Sequence, residues 1–573
     1  GRELDAIIAK ATVHDPAARY DAVGALQHDL RRLRAHEPVQ ALPQTAVYVA
    51  AKLLRRRWPW VTAGAAAVLM AAGFTVRVVQ ERNEAQFQRQ QAEGLIEFML
   101  GDLRKKLEPV GRLDVLDSLG ERVLSHYGER PDELLSAAEL SRRARSLHLV
   151  GEIAQLRGQA ERRAQALARA AATTEALLAQ VPDDPQRIFD HAQSVFWVGS
   201  AAFDAGDLKS AEAAFRSYAA FADRLVAIDA GKREWAMEQA WAKRNLAAVY
   251  VRGGRSAEAI ALLDASQRVW AEIARGDPGL VFEWVDDLGW LAEAREQAVD
   301  YRGAIAARQS IVSVLEQPAL QQDARTTRRR QIALRRLASL ELSVGNVEAA
   351  LAHAQRAEAS SAARSRDDPA DLVALAELAF SRAQLAEVLR HARPRADADR
   401  VLAALRADVD RLLAADSGRT AWQLLDGMAW RLAASTAETA DQRRRAAQGM
   451  TAFLDRVTSR PPGSDRGGWS ATTYEVAATA FELGQLRAAM GDRYAALSYW
   501  QTALDRLTEE PMVQAPARLL LAARAHLRLG DLAAARWLAA QMAMTPYRHP
   551  DVALLQRELT DGAVFATTKG QRR

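Results

Sequence analysis

Apolar residues with helical spacing open the chain in two stripes. The first stripe consists of Leu4, Ile7, Ile8 and Ala11, and the second of Val23, Leu26, Leu30 and Leu33. Residues three and four positions apart share one face of an α-helix, so the pattern predicts two short amphipathic helices. Between them, Asp15 is expected to cap the second helix and Pro16 to occupy its first turn.

A longer apolar stretch follows at 58–76 and carries no charged residue. A helix of about 19 residues rises roughly 28 Å, close to the thickness of a hydrocarbon core. We therefore predict a transmembrane helix over 58–79. The many alanines weaken the hydropathy signal, and a buried helix of a soluble domain is the competing interpretation.

The flanks of this stretch favour the membrane. Basic and interfacial aromatic residues precede or begin it, namely Lys52, Arg55, Arg56, Arg57, Trp58 and Trp60. The far side begins with only Arg77 and Arg82. The positive-inside rule then predicts a single-pass inner-membrane protein with a cytoplasmic N-terminus, and a large domain in the periplasm or outside the cell.

Beyond the membrane stretch, one local pattern recurs: a small residue late in one helix, a glycine turn, and an alanine early in the next helix. The turn glycines are Gly158, Gly206, Gly254, Gly345, Gly491 and Gly530. The small residues include Gly151, Gly199 and Gly484, and the alanines are Ala164, Ala211, Ala259, Ala350, Ala496 and Ala535. The pattern predicts at least six helix pairs and resembles tetratricopeptide repeats.

Two parts of this repeat region match the pattern less well. Leu288, Gly289 and Ala304 predict a degenerate unit, and residues 371–457 are expected to be helical. The first three turn glycines are 48 residues apart, whereas the usual repeat has 34, so the helices or loops should be longer. The expected use of the concave face is to hold a protein or peptide partner.

The amino-acid composition agrees with an all-α fold and excludes several kinds of functional site. The chain has 13 Phe and 10 Tyr in 573 residues and no cysteine, which excludes disulfides, thiolate zinc sites and cysteine nucleophiles. Lys and Arg number 77 against 72 Asp and Glu. Because both signs are spread along the chain, the net charge of +5 does not predict nucleic-acid binding.

No residue pattern predicts catalysis or metal binding. His353, His391, His526 and His549 have no second histidine at helical spacing, so we expect no metal site. Neighbouring acids such as Asp286-Asp287 and Glu509-Glu510, and the arginine runs 328–330 and 443–445, are interpreted as solvated faces. Nine helix tryptophans are expected to be mostly core residues with some groove anchors: Trp197, Trp241, Trp270, Trp284, Trp290, Trp422, Trp430, Trp500 and Trp537.

The opening segment carries a family resemblance. Its residues Leu4, Asp5, Ile7, Lys10, Ala11, Asp15, Pro16, Arg19 and Tyr20 match a pattern that, in bacterial serine/threonine protein kinases, precedes the last helix of the C-lobe. The stretch 28–33 and the proline-flanked linker also resemble that family. In those kinases the arginine matching Arg19 pairs with a glutamate at the end of the activation segment. A solvated or locally paired Arg19 on a helix is the alternative, since that glutamate is absent here.

The resemblance implies a membrane-anchored kinase of which this chain is the C-terminal part. Gly-rich phosphate loop, catalytic loop and metal-binding D-F-G motifs are absent from these residues. ATP and Mg are therefore expected only in a preceding catalytic domain, and this chain alone is expected to be inactive. The stretch 113–119, with Glu121 and Arg122, weakly resembles the start of the extracytoplasmic repeats in similar kinases.

The expected organisation is as follows: kinase C-lobe helices 1–36, basic linker 37–57, transmembrane helix 58–79, helical stalk 80–112, repeats 113–457, loop 458–470, repeats 471–558 and flexible tail 559–573. The expected partners are a protein or peptide, the membrane and a second copy of the chain. Two alternatives stay open: a membrane-tethered scaffold without enzymatic function, and the tail of a transmembrane transcription regulator or cyclase.

Overall fold

The described part of the protein is entirely helical. The computed structural model describes residues 1–98, 135–321, 323–392, 396–458, 469–508 and 515–560, and these contain α-helices and short 3-10 turns but no β-strand. This confirms the all-α prediction for that part. The motif at 113–122, most of the loop 458–470 and most of the tail 559–573 lie outside the described residues. The chain divides into two compact units, Gly1–Leu116 and Asp117–Arg573.

The described residues of the first unit form three α-helices. They are α1 (Arg2–Thr12), α2 (Val23–Arg34) and α3 (Ala46–Phe98), with a 3-10 turn at Pro16–Ala18. Both predicted amphipathic helices are therefore present. Helix α3 is continuous, so the end of the expected linker and the described part of the expected stalk belong to the same helix as the apolar stretch.

The second unit contains nine helix pairs and a final helix among the described residues. The helices are α4 (Ala137–Leu156), α5 (Ala160–Gln180), α6 (Pro185–Asp204), α7 (Leu208–Ile228), α8 (Arg233–Arg252), α9 (Ser256–Gly276), α10 (Val281–Gln297), α11 (Tyr301–Leu315), α12 (Ala324–Ser343), α13 (Val347–Asp367), α14 (Leu372–Leu389), α15 (Ala396–Ala415), α16 (Thr420–Thr436), α17 (Ala440–Thr458), α18 (Trp469–Ala489), α19 (Arg493–Thr508), α20 (Pro516–Leu529), α21 (Leu532–Ala543) and α22 (Pro550–Thr560). Each helix packs on the next, and successive even-numbered helices also meet. This is a TPR-like helical array, and its core lies between the paired helices.

The glycine turns predicted from sequence are confirmed. All six have positive φ, namely Gly158, Gly206, Gly254, Gly345, Gly491 and Gly530. A left-handed residue at the end of a helix lets its last carbonyls find hydrogen-bond partners, and glycine adopts that conformation without strain. Each of these turns joins the two helices of one pair.

The turn of the fourth pair uses valine instead of glycine. Val299 connects α10 to α11 with φ 62°, and a β-branched residue is strained in that region. The turn lies 45 residues after Gly254 and 46 before Gly345, which continues the long repeat spacing. The degenerate unit predicted around Gly289 and Ala304 is thus a complete helix pair.

In six of these seven turns, the residue five positions after the turn is a buried alanine. Ala211, Ala259, Ala304, Ala350, Ala496 and Ala535 have no exposed surface. The expected Ala164 is wrong, because Ala164 is exposed and the position five residues after Gly158 belongs to Arg163. The buried Arg163 pairs with Asp204 at 2.9 Å, so an ion pair replaces the small residue in the first pair.

Glycines inside helices allow close packing within a pair. A Cβ added at Gly151 or Gly199 would lie 2.7 Å from Leu167 or Phe215 on the next helix. The same closeness occurs at Gly427, whose Cβ would lie 2.7 Å from Phe453. Gly427 therefore marks the seventh pair, in the region 371–457 that the repeat pattern matched poorly. Two helix pairs, α14/α15 and α16/α17, occupy that region.

Candidate functional site

The site residues predicted in the opening segment, Asp15, Pro16 and Arg19, lie in a short local turn. The Asp15 carboxylate accepts the backbone N–H of Ala17 at 3.0 Å and so caps the 3-10 turn. The expectation that Asp15 and Pro16 begin the second helix is therefore wrong, since α2 starts at Val23 after an Ala22 N-cap. The exposed Arg19 donates from Nε to the Val13 carbonyl oxygen at 2.6 Å.

No sequence pattern predicted the role of Asp29, the most buried polar residue that the structure describes in this unit. Asp29, only 1% exposed, accepts the Tyr20 hydroxyl at 2.8 Å and the backbone N–H groups of Gln40 and Ala41 at 2.6 and 2.9 Å. Burial and the neighbouring Asp29 carboxylate raise the pKa of Tyr20 to about 12. Asp29 thus holds the linker against α2.

The basic flank of the apolar stretch is not uniform. Lys52 is buried and pairs with Glu3 at 2.8 Å, and Tyr48 donates to the same carboxylate at 2.8 Å. Lys52 therefore fastens α3 to α1 instead of presenting a free charge. Arg55 and Trp58 are exposed on the following turns.

By length and composition, the segment Thr62–Glu81 of α3 could cross a membrane, and none of its most apolar window is buried within the protein. Large apolar side chains are exposed along it, among them Val68, Leu69, Met70 and Phe74. Nothing in the described residues covers this apolar surface.

A ladder of polar contacts joins successive even-numbered helices. Its bonded residues are 43 to 46 positions apart, one repeat in sequence, and include Arg187–Ser141, Gln193–Glu238, Arg329–Asp286 and Arg431–Glu475. We call this set the inner ladder. It differs from a solvated charged face, because most of its members are at least partly buried.

One rung of the ladder corrects the interpretation of Asp286-Asp287. Asp287 has no exposed surface and contacts Arg244 at 3.2 Å, while Asp286 pairs with Arg329 at 3.1 Å. Burial raises the pKa of Asp287 to about 7, against the opposing effect of Arg244. The two carboxylates therefore stabilise contacts with different helices. Glu509 and Glu510 lie outside the described residues.

The even-numbered helices enclose a cavity of about 430 Å³, which we call the inner chamber. Even-numbered helices α12 to α20 line it, together with residues just before and at the start of α22. Its charged lining is balanced and consists of Arg336, Arg390, Arg431, Arg524, Glu387, Glu475, Glu482 and Asp551. Tyr474, Tyr547 and Phe380 add aromatic surface.

Arginines pair with carboxylates that line the chamber. Arg431 contacts Glu475 at 3.0 Å and Glu387 at 3.4 Å, and Arg390 contacts Glu387 at 2.7 Å. Burial alone would raise the pKa of Glu387, but the guanidinium groups of Arg390 and Arg431 outweigh it, and the pKa lies well below its usual value. These charges are fixed by neighbours from three repeats.

Two histidines that are far apart in sequence meet at the edge of the chamber. The rings of His391 and His549 are 5.1 Å apart, edge to face, and with Glu387 they place three ligand atoms within 4.8 Å of one another. The expectation that these histidines are scattered is wrong. Burial lowers the pKa of His549 to about 4, so its ring is neutral at pH 7.

Electrostatics disfavour a divalent cation in this cluster. Arg390 and Arg431 already contact Glu387, and Arg390 and Arg524 lie 2.7 and 3.9 Å from Asp551. A cation there would face three guanidinium groups at short range. The arrangement favours an ion-paired cluster against which the two histidine rings pack.

No sequence periodicity connects Asp551 to Arg390, because 161 positions separate them.

The nine tryptophans predicted on helices differ in burial. Trp270, Trp422 and Trp500 are buried, Trp537 is 61% exposed, and the other five are partly buried. Two sequence features could have pointed to the contacts that sequence patterns did not predict: Gly427 and the Pro-Tyr-Arg-His-Pro run at 546–550.

No protein-family model matches the chain, and no curated protein matches it. Solved structures with a similar arrangement include the apo form of RapI, at TM-score 0.48 and 10% identity over 72% of this chain and 97% of that one. Another is the apo quorum sensor NprR from B. thuringiensis, at TM-score 0.45 and 12% identity over 73% and 99%. A tetratricopeptide repeat protein from Parabacteroides merdae has TM-score 0.33 and 13% identity over 57% and 98%.

Proposed function

We propose that this chain is the C-terminal part of a membrane-anchored serine/threonine protein kinase whose repeat domain recognises a protein or peptide outside the cytoplasm. The observation that carries the recognition role is the inner chamber. Helical arrays bind partners along the surface that their stacked helices enclose. This surface has a cavity lined by paired charges and aromatic rings, which offers a peptide both charged and apolar contacts.

The kinase assignment is supported by the opening segment. Its match to the end of a kinase C-lobe includes Asp15, Pro16 and Arg19, and these residues form a short structured turn between two helices. The chain carries no ATP or Mg site of its own by sequence, so phosphoryl transfer would belong to a preceding catalytic domain.

The membrane assignment is supported by α3. Its segment Thr62–Glu81 is long and apolar enough to span a bilayer, and Arg55, Arg56, Arg57 and Trp58 precede it. Those residues favour a cytoplasmic N-terminus, with the repeats in the periplasm or outside the cell.

As mechanism, partner binding or self-association of the repeats would bring two catalytic domains together. The single helix then transmits proximity, which raises the effective concentration of one kinase domain near another. Deleting the repeats should change regulation and leave basal ATP turnover of the complete kinase intact. Loss of all turnover would contradict this mechanism.

The absence of cysteine allows a clean topology test. In the full chain expressed in a bacterium, Tyr494→Cys marks the repeats and Val23→Cys marks the opening segment, and both positions are well exposed. A membrane-impermeant maleimide applied to spheroplasts should label Y494C and leave V23C unlabelled until lysis. The reverse labelling, or equal labelling of both before lysis, would contradict the proposed orientation.

The kinase part is tested by the coding sequence upstream of Gly1. An H-R-D catalytic loop, a D-F-G motif and a terminal activation-segment glutamate in the same frame would support it. A start codon or a DNA-binding domain there would instead favour the scaffold or the transcription regulator.

A further inference from the structure

Residues 545–551, which we call the strap, connect α21 to α22 and lie across repeats distant in sequence. Tyr547 is buried with Tyr301 of α11, at a ring distance of 6.1 Å. The Arg548 N–H donates to the carbonyl oxygen of Ser343, at the end of α12, at 2.7 Å. Asp551 pairs with Arg390 after α14 at 2.7 Å. The strap therefore contacts the fourth, fifth and sixth helix pairs.

The strap is bound as an extended peptide would be. Pro546 and Pro550 keep the residues between them out of a helix. Its anchors are one buried aromatic ring, one backbone hydrogen bond and one carboxylate on an arginine. The Arg548 side chain does not reach the array, since it donates to the strap's own carbonyl oxygens at Thr545 and Tyr547, 2.6 and 2.8 Å away.

The charge of the chamber shows what the strap supplies. With Asp551 the lining has four arginines and four carboxylates, and without it four arginines face three carboxylates. Burial raises the pKa of Asp551, but Arg390, His549, Arg524 and His391 outweigh this and hold it below the usual value. A displaced strap would leave a surface that favours another carboxylate.

We propose that the strap occupies a peptide-binding surface of the repeats in cis, and that a partner peptide of the same chemistry displaces it. The partner's segment is extended and carries an aromatic side chain with an aspartate or glutamate four residues after it, as Tyr547 and Asp551 are placed. This inference rests on the proposed role of the repeats as an interaction domain, and it adds the ligand class and the competition with the strap.

Gly345 offers a way to loosen the strap without changing it or the chamber. A Cβ at Gly345 would lie 2.8 Å from the Arg548 carbonyl oxygen of the strap. Gly491 has nearly the same backbone, with φ 88° against 85°, and a Cβ there would meet nothing within 4 Å. Gly345→Ala and Gly491→Ala therefore carry the same backbone strain, and only the first displaces the strap.

The test uses the full chain in detergent and a fluorescein-labelled peptide of residues 543–553, followed by fluorescence anisotropy. Occupation by the strap lowers the apparent affinity in proportion to the open fraction. G345A should therefore bind the peptide about tenfold or more tightly than the unmodified chain, whereas G491A should bind it like the unmodified chain. The peptide with Y547A or D551A should lose the gain.

Equal affinity of G345A and G491A for the peptide, with both chains folded by circular dichroism, would overturn the proposal. So would equal binding of the substituted peptides to G345A. A second opening variant, Arg548→Pro, removes the N–H donor from a residue whose side chain is exposed, and should reproduce the gain. Failure of this test leaves the maleimide result on Y494C unaffected, so the two proposals can fail separately.

Discussion

The first three helix pairs and the last six share one repeat pattern but are held together differently. In the first three, side chains reach the next repeat, as His148 reaches Ser194 at 2.9 Å across 46 residues. In the last six, the same ladder is joined by contacts such as Arg390 to Asp551 across 161 residues. The comparison teaches that repetition specifies neighbours, whereas closure of the array depends on contacts that the strap and the last helices make with repeats distant in sequence.

The largest expected effect comes from a substitution of Arg431 in the inner chamber. Arg431→Met leaves Glu475 and Glu387 buried without this guanidinium, and removing one partner of a buried pair costs about 3–5 kcal/mol. Urea unfolding of the detergent-solubilised chain measures it. Arg445→Met is the control, because its pair with Asp441 is exposed on both sides and should contribute less than about 1 kcal/mol. Equal effects would contradict a structural role of the cluster.

A smaller effect tests whether close packing within a pair is the same in both regions. Gly199→Ala in the second pair and Gly427→Ala in the seventh place a Cβ 2.7 Å from a phenylalanine ring. Overpacking should cost each variant about 1–3 kcal/mol in urea unfolding. Gly276→Ala, whose Cβ would meet nothing within 4 Å, is the control and should be neutral or slightly stabilising. A large effect in only one pair would contradict equivalent packing.

Each of the two regions contains a buried histidine that should make its stability depend on pH. Burial lowers the pKa of both His148 and His549 to about 4. A group with a depressed folded pKa takes up its proton more readily when the structure opens, so stability falls as the pH drops from about 6.5 towards 4, by up to about 1.4 kcal/mol per pH unit for each histidine.

Native-state hydrogen exchange at pH 7.5 and 5, corrected for intrinsic rates, should show weaker protection of α4 and of the strap at pH 5. His549→Gln should remove the change in the strap alone, and His148→Gln the change in α4 alone. Asp551, Glu387, His391 and Arg390 surround His549, and Arg145 lies near His148. A pH effect that survives in H549Q would assign it to another of these groups.

The smallest effect concerns the strained turn at the start of the last six pairs. Val299→Gly relieves a β-branched residue at φ 62° and should stabilise the protein by roughly 0.5 kcal/mol after the entropic cost of glycine. The reciprocal change, Gly254→Val at φ 73°, should destabilise it by about 1–2 kcal/mol. Thermal unfolding measures both, and a destabilised V299G would show that the valine side chain contributes more than its strain costs.

Local chemistry explains what could be predicted from the sequence. Glycine at a left-handed turn and alanine five residues later reflect conformational and packing demands that recur in each pair, so six turns were found correctly. Arg163 was not predicted, because its ion pair with Asp204 lies at a position where the pattern expects a small residue. The turn at Val299 was not predicted, because tertiary packing there overrides the preference for glycine at positive φ.

The chamber could not be predicted for a different reason. Its charges come from five helices and the strap, and no residue spacing reports which repeats meet when the array curves. His391 and His549 were dismissed as isolated because a helical spacing rule was applied to residues 158 positions apart. The proposed kinase and membrane assignments depend on sequence resemblance and flanking charge.

The strap has a consequence for how the domain comes apart. An open helical array frays from its ends, because a terminal repeat has one neighbour and opening it costs only that interface. Here the C-terminal end is tied back to the fourth, fifth and sixth pairs. The last repeat should therefore not fray first, and the six pairs inside the loop should unfold together as one cooperative block, with the first three pairs as the weaker end.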